Sequence, residues 1–220
     1  MLEFLLDLDI SLFCLINGAH HPVGDMVFLI VTQLGSGWTV SPILVGIVVW
    51  RVPRRRLVPV IAVSTLAMTG SGLVNRAIKD AVRRPRPPKY FSEAAGGAPH
   101  LSSETPAARG KQLHVVGRKL KTRSFPSGHT NTAFSAAVVL TMLLGGWFRA
   151  AFIPAAAVGY SRVYMGIHFP LDILGGAILG VAMTSALMYG GLSVVDRLSR
   201  SPSSQSDDTD SSPAGGSRLK

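Results

Sequence analysis

Two histidines and one aspartate stand at spacings that suit the transfer of a phosphoryl group. His168 precedes Asp172 by four residues in the segment 161–172, SRVYMGIHFPLD, and Pro170 marks the start of a helix between them. At this spacing the Asp172 carboxylate reaches back to one imidazole N–H of His168, which leaves the other ring nitrogen free to attack phosphorus. His129 ends the sequence PSGH and is a candidate general acid and base. Together the three side chains predict a nucleophile, its orienting carboxylate and a proton donor.

Three cations and two small residues accompany these groups and predict a binding site for phosphate. Lys79, Arg86 and Arg162 supply positive charge, and an arginine can contact two phosphate oxygens at once. Ser127 adds a hydroxyl, and Gly128 lets backbone N–H groups at a predicted helix N-terminus approach an anion. Such a cradle neutralises the charge spread over the equatorial oxygens in the transition state.

The elements that must position these residues are predicted membrane spans. The 220 residues are 47% hydrophobic and 15% charged, which suits a membrane protein better than a soluble one, where about a quarter of the residues are charged. The segment 57–78 has 22 residues and as a helix covers about 33 Å, enough to cross a bilayer. The other predicted spans are 23–50 (broken by GSG at 35–37), 130–147, 150–164 and 171–192.

The predicted fold is all-α, a polytopic transmembrane helical bundle of about five to six spans, with the sixth present if the N-terminal helix crosses. If the spans alternate in direction, all three site clusters emerge on one membrane face, so the active site lies at helix ends. The predicted domains are an N-terminal interfacial helix or lead-in (1–22), a membrane domain (23–195) with an extended loop (88–122), and a disordered polar tail (196–220).

Basic residues predict which way the site faces. The run RVPRRR at 51–56, with Arg149 and two arginines near the C-terminus, marks the opposite face as cytoplasmic by the positive-inside rule. Between residues 79 and 123 there are eleven Lys and Arg residues and three acids. No nucleic-acid-binding motif accompanies this block, so it predicts contact with phosphate or lipid headgroups and not with nucleic acid.

Three motifs in order give the chain its resemblance to a known family. They are K-x(6)-R-P at 79–87, P-S-G-H at 126–129 and S-R-x(5)-H-x(3)-D at 161–172, and together they resemble the signature of the type 2 phosphatidic acid phosphatase superfamily, in its membrane lipid phosphatase branch. The resemblance covers roughly residues 20–195, with no motif position missing. It implies that phosphate is bound by Lys79, Arg86, Ser127, Gly128 and Arg162, and that His168 is the nucleophile, Asp172 the orienting acid and His129 the proton donor. It implies no metal and no cofactor.

The expected function is therefore that of an integral-membrane lipid phosphatase working through a phospho-histidine intermediate. Undecaprenyl diphosphate, phosphatidic acid, phosphatidylglycerol phosphate and lipid A all present a phosphate at the interface. The small size is similar to that of bacterial members acting on isoprenoid diphosphates, which favours a bacterial inner membrane with the site facing the periplasm. The expected partners are the lipid phosphate and membrane lipids, and the oligomeric state stays open.

Two other functions use similar residues. A vanadium haloperoxidase holds vanadate in a similar cradle, but the family's peroxidases are soluble, whereas this chain has several predicted spans. A phosphate or lipid-phosphate transporter would bind without chemistry, but transporter sites usually lie near the bilayer midplane, whereas these charges lie at predicted helix ends. Replacing His168 by alanine separates the classes, since it abolishes hydrolysis and can spare binding.

Several polar residues receive a structural interpretation only. A solvated or headgroup-facing basic rim is predicted for Arg83, Arg84, Lys89, Arg118, Lys119, Lys121 and Arg123. No role is assigned to His20, His21, His100 and His114, which lack partners at useful spacing, or to Asn75 and Arg76, which precede Lys79 on the same predicted helix. The loop 88–122 is a candidate gate or headgroup selector because of its length.

Overall fold

The architecture is all-helical throughout the part of the chain that the computed structural model describes, residues 1–94, 113–117 and 122–199. Two 3₁₀ turns, Thr32–Gly35 and Gly146–Ala151, connect longer helices. The helices are α1 (Leu2–Asn17), α2 (Pro22–Val31), α3 (Gly37–Arg51), α4 (Arg54–Val82), α5 (Pro87–Ala94), α6 (Gly128–Leu144), α7 (Phe152–Tyr164) and α8 (Pro170–Ser199). The predicted fold class is confirmed.

Helices α4, α6 and α8 form the centre of the bundle. Gly176 and Gly180 of α8 lie against the backbone of α6, where an added Cβ would stand 2.5 Å from the carbonyl oxygen of Ser127 and 2.7 Å from that of Asn131. Small residues permit such close approach between membrane helices. An apolar cluster joins α3 to the same three helices, and its buried members are Leu44, Val48, Val60, Ala67, Val139 and Met188.

Two helices in the described ranges, α4 and α8, belong to segments long and apolar enough to cross a membrane on their own. A third span is possible if α1 and α2, which meet at a bend of 114°, count as one. The predicted break in 23–50 is present, because α2 passes into the 3₁₀ turn and α3 begins at Gly37. Trp38 and Trp147 are almost fully exposed, at 94% and 93%, which fits a lipid-facing surface. The count of five to six spans stays a prediction.

Two predicted boundaries differ from the structure. Part of the loop 88–122 is helical, because Pro87 starts α5 and its aromatic residues Tyr90 and Phe91 pack on Phe169. The tail predicted to begin at 196 is helical as far as Ser199. The positive charge of Arg197 in the last turn of α8 interacts favourably with the negative end of the helix dipole. Residues 95–112, 118–121 and 200–220 lie outside the described residues.

The contact between α8 and α6 predicts a large difference between two glycines of the same helix. Gly176→Ala places a methyl group against the Ser127 carbonyl, whereas a Cβ at Gly190 meets nothing within 4 Å. Overpacking of this kind costs about 1–3 kcal/mol. We expect Gly176→Ala to lower the melting temperature of the detergent-purified protein by about 3–10 °C. Gly190→Ala is the control, and equal melting of the two variants would show that the α6–α8 contact is not tight.

Candidate active site

The predicted site residues come together at one end of the bundle, each at a helix terminus. Lys79 lies in the last turn of α4 and Arg162 in the last turn of α7. Ser127 caps α6 and Gly128 is the first residue of that helix. His168 lies in the short connection between α7 and α8, and Asp172 in the first turn of α8. The residue after α4, Arg83, adopts a left-handed conformation with φ of 48°, which turns the chain so that Arg84 and Arg86 reach the site.

His168 is held by the carboxylate four residues further on, as the spacing predicts. Its Nδ1 lies 3.3 Å from Oδ2 of Asp172, and the same oxygen accepts hydrogen bonds from the Phe169 N–H (3.0 Å) and the Ser124 hydroxyl. Burial of the ring, whose residue is 2% exposed, lowers the pKa of His168 to about 3, although the bond to Asp172 opposes the shift. The imidazole is therefore neutral at neutral pH, and with Nδ1–H donating, Nε2 carries the lone pair.

Arg86 contacts Nε2 of His168, the ring nitrogen that does not face Asp172. Its Nη1 lies 3.1 Å from Nε2 and donates to the carbonyl oxygen of Ile167 at 3.2 Å. Its Nε donates to the Thr122 carbonyl at 3.0 Å, which fixes the guanidinium plane. A phosphate oxygen bound by Arg86 would therefore lie beside the nitrogen that is able to attack phosphorus.

Lys79 and Asn75 face the N-terminus of α6. A Cβ built on Gly128 would stand 3.8 Å from both Cε of Lys79 and Oδ1 of Asn75, so both side chains lie beside the first turn of α6, where backbone N–H groups have no intrahelical acceptor. Asn75 is buried, and its Nδ2 finds no hydrogen-bond partner within the described ranges. Arg76 is exposed.

Ser127 caps helix α6 and connects it to helix α8. Its Oγ accepts from the Thr130 hydroxyl at 2.9 Å and from the Thr130 N–H at 3.5 Å, which caps α6. Its backbone N–H donates to the Asp172 carbonyl oxygen at 2.8 Å, which locks α6 to α8. That N–H is committed, while the hydroxyl hydrogen stays available to an anion.

The break between α2 and α3 supports His129 and Arg162. Nη1 of Arg162 donates to the Thr32 hydroxyl at 2.9 Å, and its Nε has no partner in the described part of the chain. Gly35 packs so closely that a Cβ there would stand 2.9 Å from both Cβ and the carbonyl oxygen of His129. The GSG interruption of the apolar segment therefore allows the chain to pack closely against His129.

Arg84 is the main correction to the sequence analysis, which placed it in a solvated rim. Its Nη1 lies 2.8 Å from Oδ1 of Asp172 and its Nη2 lies 2.5 Å from Oδ2 of Asp9. Asp9 and Ser124 were also missed as partners of the site. An acid inside the apolar N-terminal helix is the one local signal that pointed to Asp9, because such acids are costly in membrane segments.

His114, to which no role was assigned, also has a partner. Its Nε2 lies 2.9 Å from Oδ2 of Asp25, and its ring stacks on that of His20 at 3.9 Å between centroids. The Val116 N–H donates to the Met165 carbonyl at 3.1 Å. The segment 113–117 is thereby tied to the connection that carries His168. Of the other basic-rim and histidine predictions, Arg118, Lys119, Lys121 and His100 lie outside the described residues.

A metal has no evident protein cage within the described ranges, where no three His, Cys, Asp or Glu side chains group in a way that suits one. The site instead gathers cations and donors, which are the groups that bind an anion. Independence from metals stays a prediction.

Comparison with known proteins matches the PAP2 superfamily over residues 60–192. A lipid A 4′-phosphatase of Bacteroides thetaiotaomicron is 28% identical over 187 residues, which cover 82% of this chain and 75% of that protein. The crystal structure of Aquifex aeolicus LpxE is similar with a TM-score of 0.62 and 30% identity, over 83% of this chain and 95% of that one. A transmembrane PAP2 type phosphatidylglycerolphosphate phosphatase from Bacillus subtilis shares the fold, with a TM-score of 0.63 and 21% identity over 89% of this chain and 88% of that one.

Proposed function

The chain belongs to the PAP2 superfamily, and from this membership and the geometry of its site we propose that it is an integral-membrane phosphatase that hydrolyses the phosphate or diphosphate of a lipid headgroup. The observation that carries the proposal is the contact at 3.1 Å between Arg86 Nη1 and His168 Nε2. It supports the proposal because a guanidinium, a group that suits phosphate, lies beside a neutral imidazole nitrogen whose partner nitrogen contacts Asp172.

Two buried donors support the binding of an anion at this point. Nδ2 of Asn75 and Nε of Arg162 have no hydrogen-bond partner among the described residues, although buried polar groups are nearly always paired. Both belong to elements that surround the N-terminus of α6. Phosphoryl oxygens would accept hydrogen bonds from these two donors. The same oxygens would also accept from Lys79 and Arg86.

The first step forms a covalent intermediate. His168 Nε2 donates its electron pair to phosphorus, the P–N bond forms, and the P–O bond to the lipid breaks. The departing oxygen takes its proton from His129. Asp172 stabilises the positive charge that arises on His168, and the cations stabilise the equatorial oxygens.

The second step returns the enzyme to its starting state. His129, now the base, removes a proton from water, whose oxygen attacks phosphorus while the P–N bond breaks. Orthophosphate leaves, and the electron pair returns to Nε2 of His168. The cycle consumes one water and needs no redox partner or metal ion.

The substrate is a lipid because the site lies at helix ends of a membrane bundle. We place undecaprenyl diphosphate and phosphatidic acid first. The relatives named above act on other headgroups by their names, lipid A and phosphatidylglycerolphosphate, so a shared phosphate is the feature that all candidates have in common. The proposed location is a bacterial inner membrane, with the site on the outer face.

The experiment is phosphate release by the detergent-purified protein in EDTA, from undecaprenyl diphosphate and phosphatidic acid in parallel. We expect release from at least one lipid, with the rate unchanged by the chelator because no step uses a metal. The ratio of the two rates ranks the headgroups. Loss of activity in EDTA that Mg²⁺ or Zn²⁺ restores would contradict metal independence. The proposed function would be contradicted by a folded protein that releases phosphate from neither of these lipids, nor from lipid A or phosphatidylglycerolphosphate.

A further inference from the structure

Arg84 bridges two buried carboxylates that come from distant segments of the chain. Its two terminal nitrogens contact Oδ1 of Asp172 at 2.8 Å and Oδ2 of Asp9 at 2.5 Å. Both aspartate side chains are fully buried, and the arginine side chain is 19% exposed. One guanidinium is therefore shared between the carboxylate that orients His168 and a carboxylate of α1.

Asp9 also contacts the helix that carries Asp172. Its Oδ1 accepts from the Leu171 N–H at 2.7 Å, one residue before Asp172. The Phe13 ring of α1 packs on Phe169 at 5.2 Å between centroids. The Arg84 guanidinium carbon lies 4.5 Å from the centre of the same Phe169 ring. Helix α1 thus contacts the first turn of α8 through the Asp9–Leu171 hydrogen bond, and the residue just before α8 through the Phe13–Phe169 ring contact.

The partners of Asp172 divide between its two oxygens. Oδ2 faces His168, Ser124 and the Phe169 N–H, whereas Oδ1 faces Arg84. Rotation of the carboxylate would exchange these partners, so Arg84 fixes which oxygen reaches the imidazole. Because Asp9 takes part of the arginine's charge, it limits how strongly Arg84 draws the Asp172 charge away from His168.

We propose that Asp9 and Arg84 are positioning residues of the reaction, so that helix α1 completes the catalytic pair His168–Asp172. The inference rests on the proposed function. Asp9 lies on α1, outside residues 60–192, over which the family model matches. Asp9 acts through Arg84 and touches no substrate.

The decisive variant is Asp9→Asn, which keeps the shape and the acceptor for the Leu171 N–H but removes the charge. We expect kcat for phosphate release to fall by about 10- to 100-fold, with KM changed less than about twofold, because the phosphate-binding cations stay in place. The matched control is Asp7→Asn, on the exposed face of the same helix, which should behave as the wild type.

A double-mutant cycle separates positioning from a general loss of structure. If Asp9 acts through Arg84, Asp9→Asn adds little to the loss caused by Arg84→Gln, so the two effects are not additive. Arg84→Lys keeps a charge but cannot bridge two carboxylates, and it should lose kcat about tenfold. If Asp9→Asn fails to fold, Arg84→Lys decides by the same split between kcat and KM.

Two outcomes would overturn the inference, and both differ from failure of the proposed function. With active wild type, an Asp9→Asn variant as active as Asp7→Asn would show that α1 does not position the pair. Fully additive losses, or a rise in KM with kcat unchanged, would assign Asp9 a role in structure or binding only. An inactive wild type, by contrast, would point to the proposed function itself.

Discussion

Replacement of His168 by alanine is expected to reduce phosphate release by about 10,000-fold or more, the scale seen when a nucleophile is removed. The reason lies in the geometry, because Nε2 is the nitrogen that faces Arg86, at 3.1 Å, while Nδ1 is occupied by Asp172. In the variant, direct attack of a water molecule on phosphorus is not expected to replace the attack by His168. The measurement is the initial rate on the preferred lipid, with the melting temperature recorded for each variant.

The control for this substitution is His20→Ala, which removes an exposed imidazole and should leave the rate unchanged. A His168→Ala protein that retains more than about a hundredth of the activity while folded would contradict the nucleophile assignment. Binding of inorganic phosphate is expected to survive in the variant, since Lys79 and Arg162 do not depend on the imidazole.

The second large effect is expected for Asp172→Asn, at about 1,000- to 10,000-fold in kcat. Every contact of the carboxylate comes from a donor: Arg84 on one oxygen, and His168 Nδ1–H, the Phe169 N–H and the Ser124 hydroxyl on the other. An amide NH₂ therefore faces a donor in either orientation. If it turns toward His168, it favours the tautomer in which Nε2 carries the proton and cannot attack.

The matched control is Asp196→Asn, an exposed aspartate on the same helix, which is expected to have no effect on the rate. Since Asp172 is buried and paired, its variant should also be less stable, so rates must be compared well below its melting temperature. If Asp172→Asn kept near-wild-type kcat, His168 would not need the carboxylate, and the orienting role would be wrong.

The local parts of the site could be predicted because their partners are close in sequence. His168 and Asp172 are one helical turn apart, and Ser127 and Gly128 are adjacent at the start of α6. Side chains at such spacings meet whatever the rest of the fold does. The all-α architecture followed from apolar segments of bilayer length, which leave few alternatives.

The remaining contacts could not be predicted from spacing, since they join distant segments. Arg84 and Asp9 are 75 positions apart, and Arg162 and Thr32 are 130 apart. An arginine in a run of basic residues looks like a headgroup anchor, and only the turn at Arg83 and the approach of α1 place Arg84 inside. Helix α5 was not predicted either, because the segment 88–122 is rich in proline and glycine, which favours a loop. The contacts of the α5 aromatic residues with Phe169 depend on the tertiary fold.

The most direct test of the account is to trap the covalent intermediate. The protein is mixed with a lipid labelled in its terminal phosphate, quenched in alkali, in which phospho-histidine is stable, and mapped by mass spectrometry. The His129→Gln variant, which lacks the proton donor of the first step and the base of the second, is run beside the wild type. We predict label on His168 in the wild type and none in His168→Ala. Phosphate release by an active enzyme with no label on His168 in either protein would contradict the account.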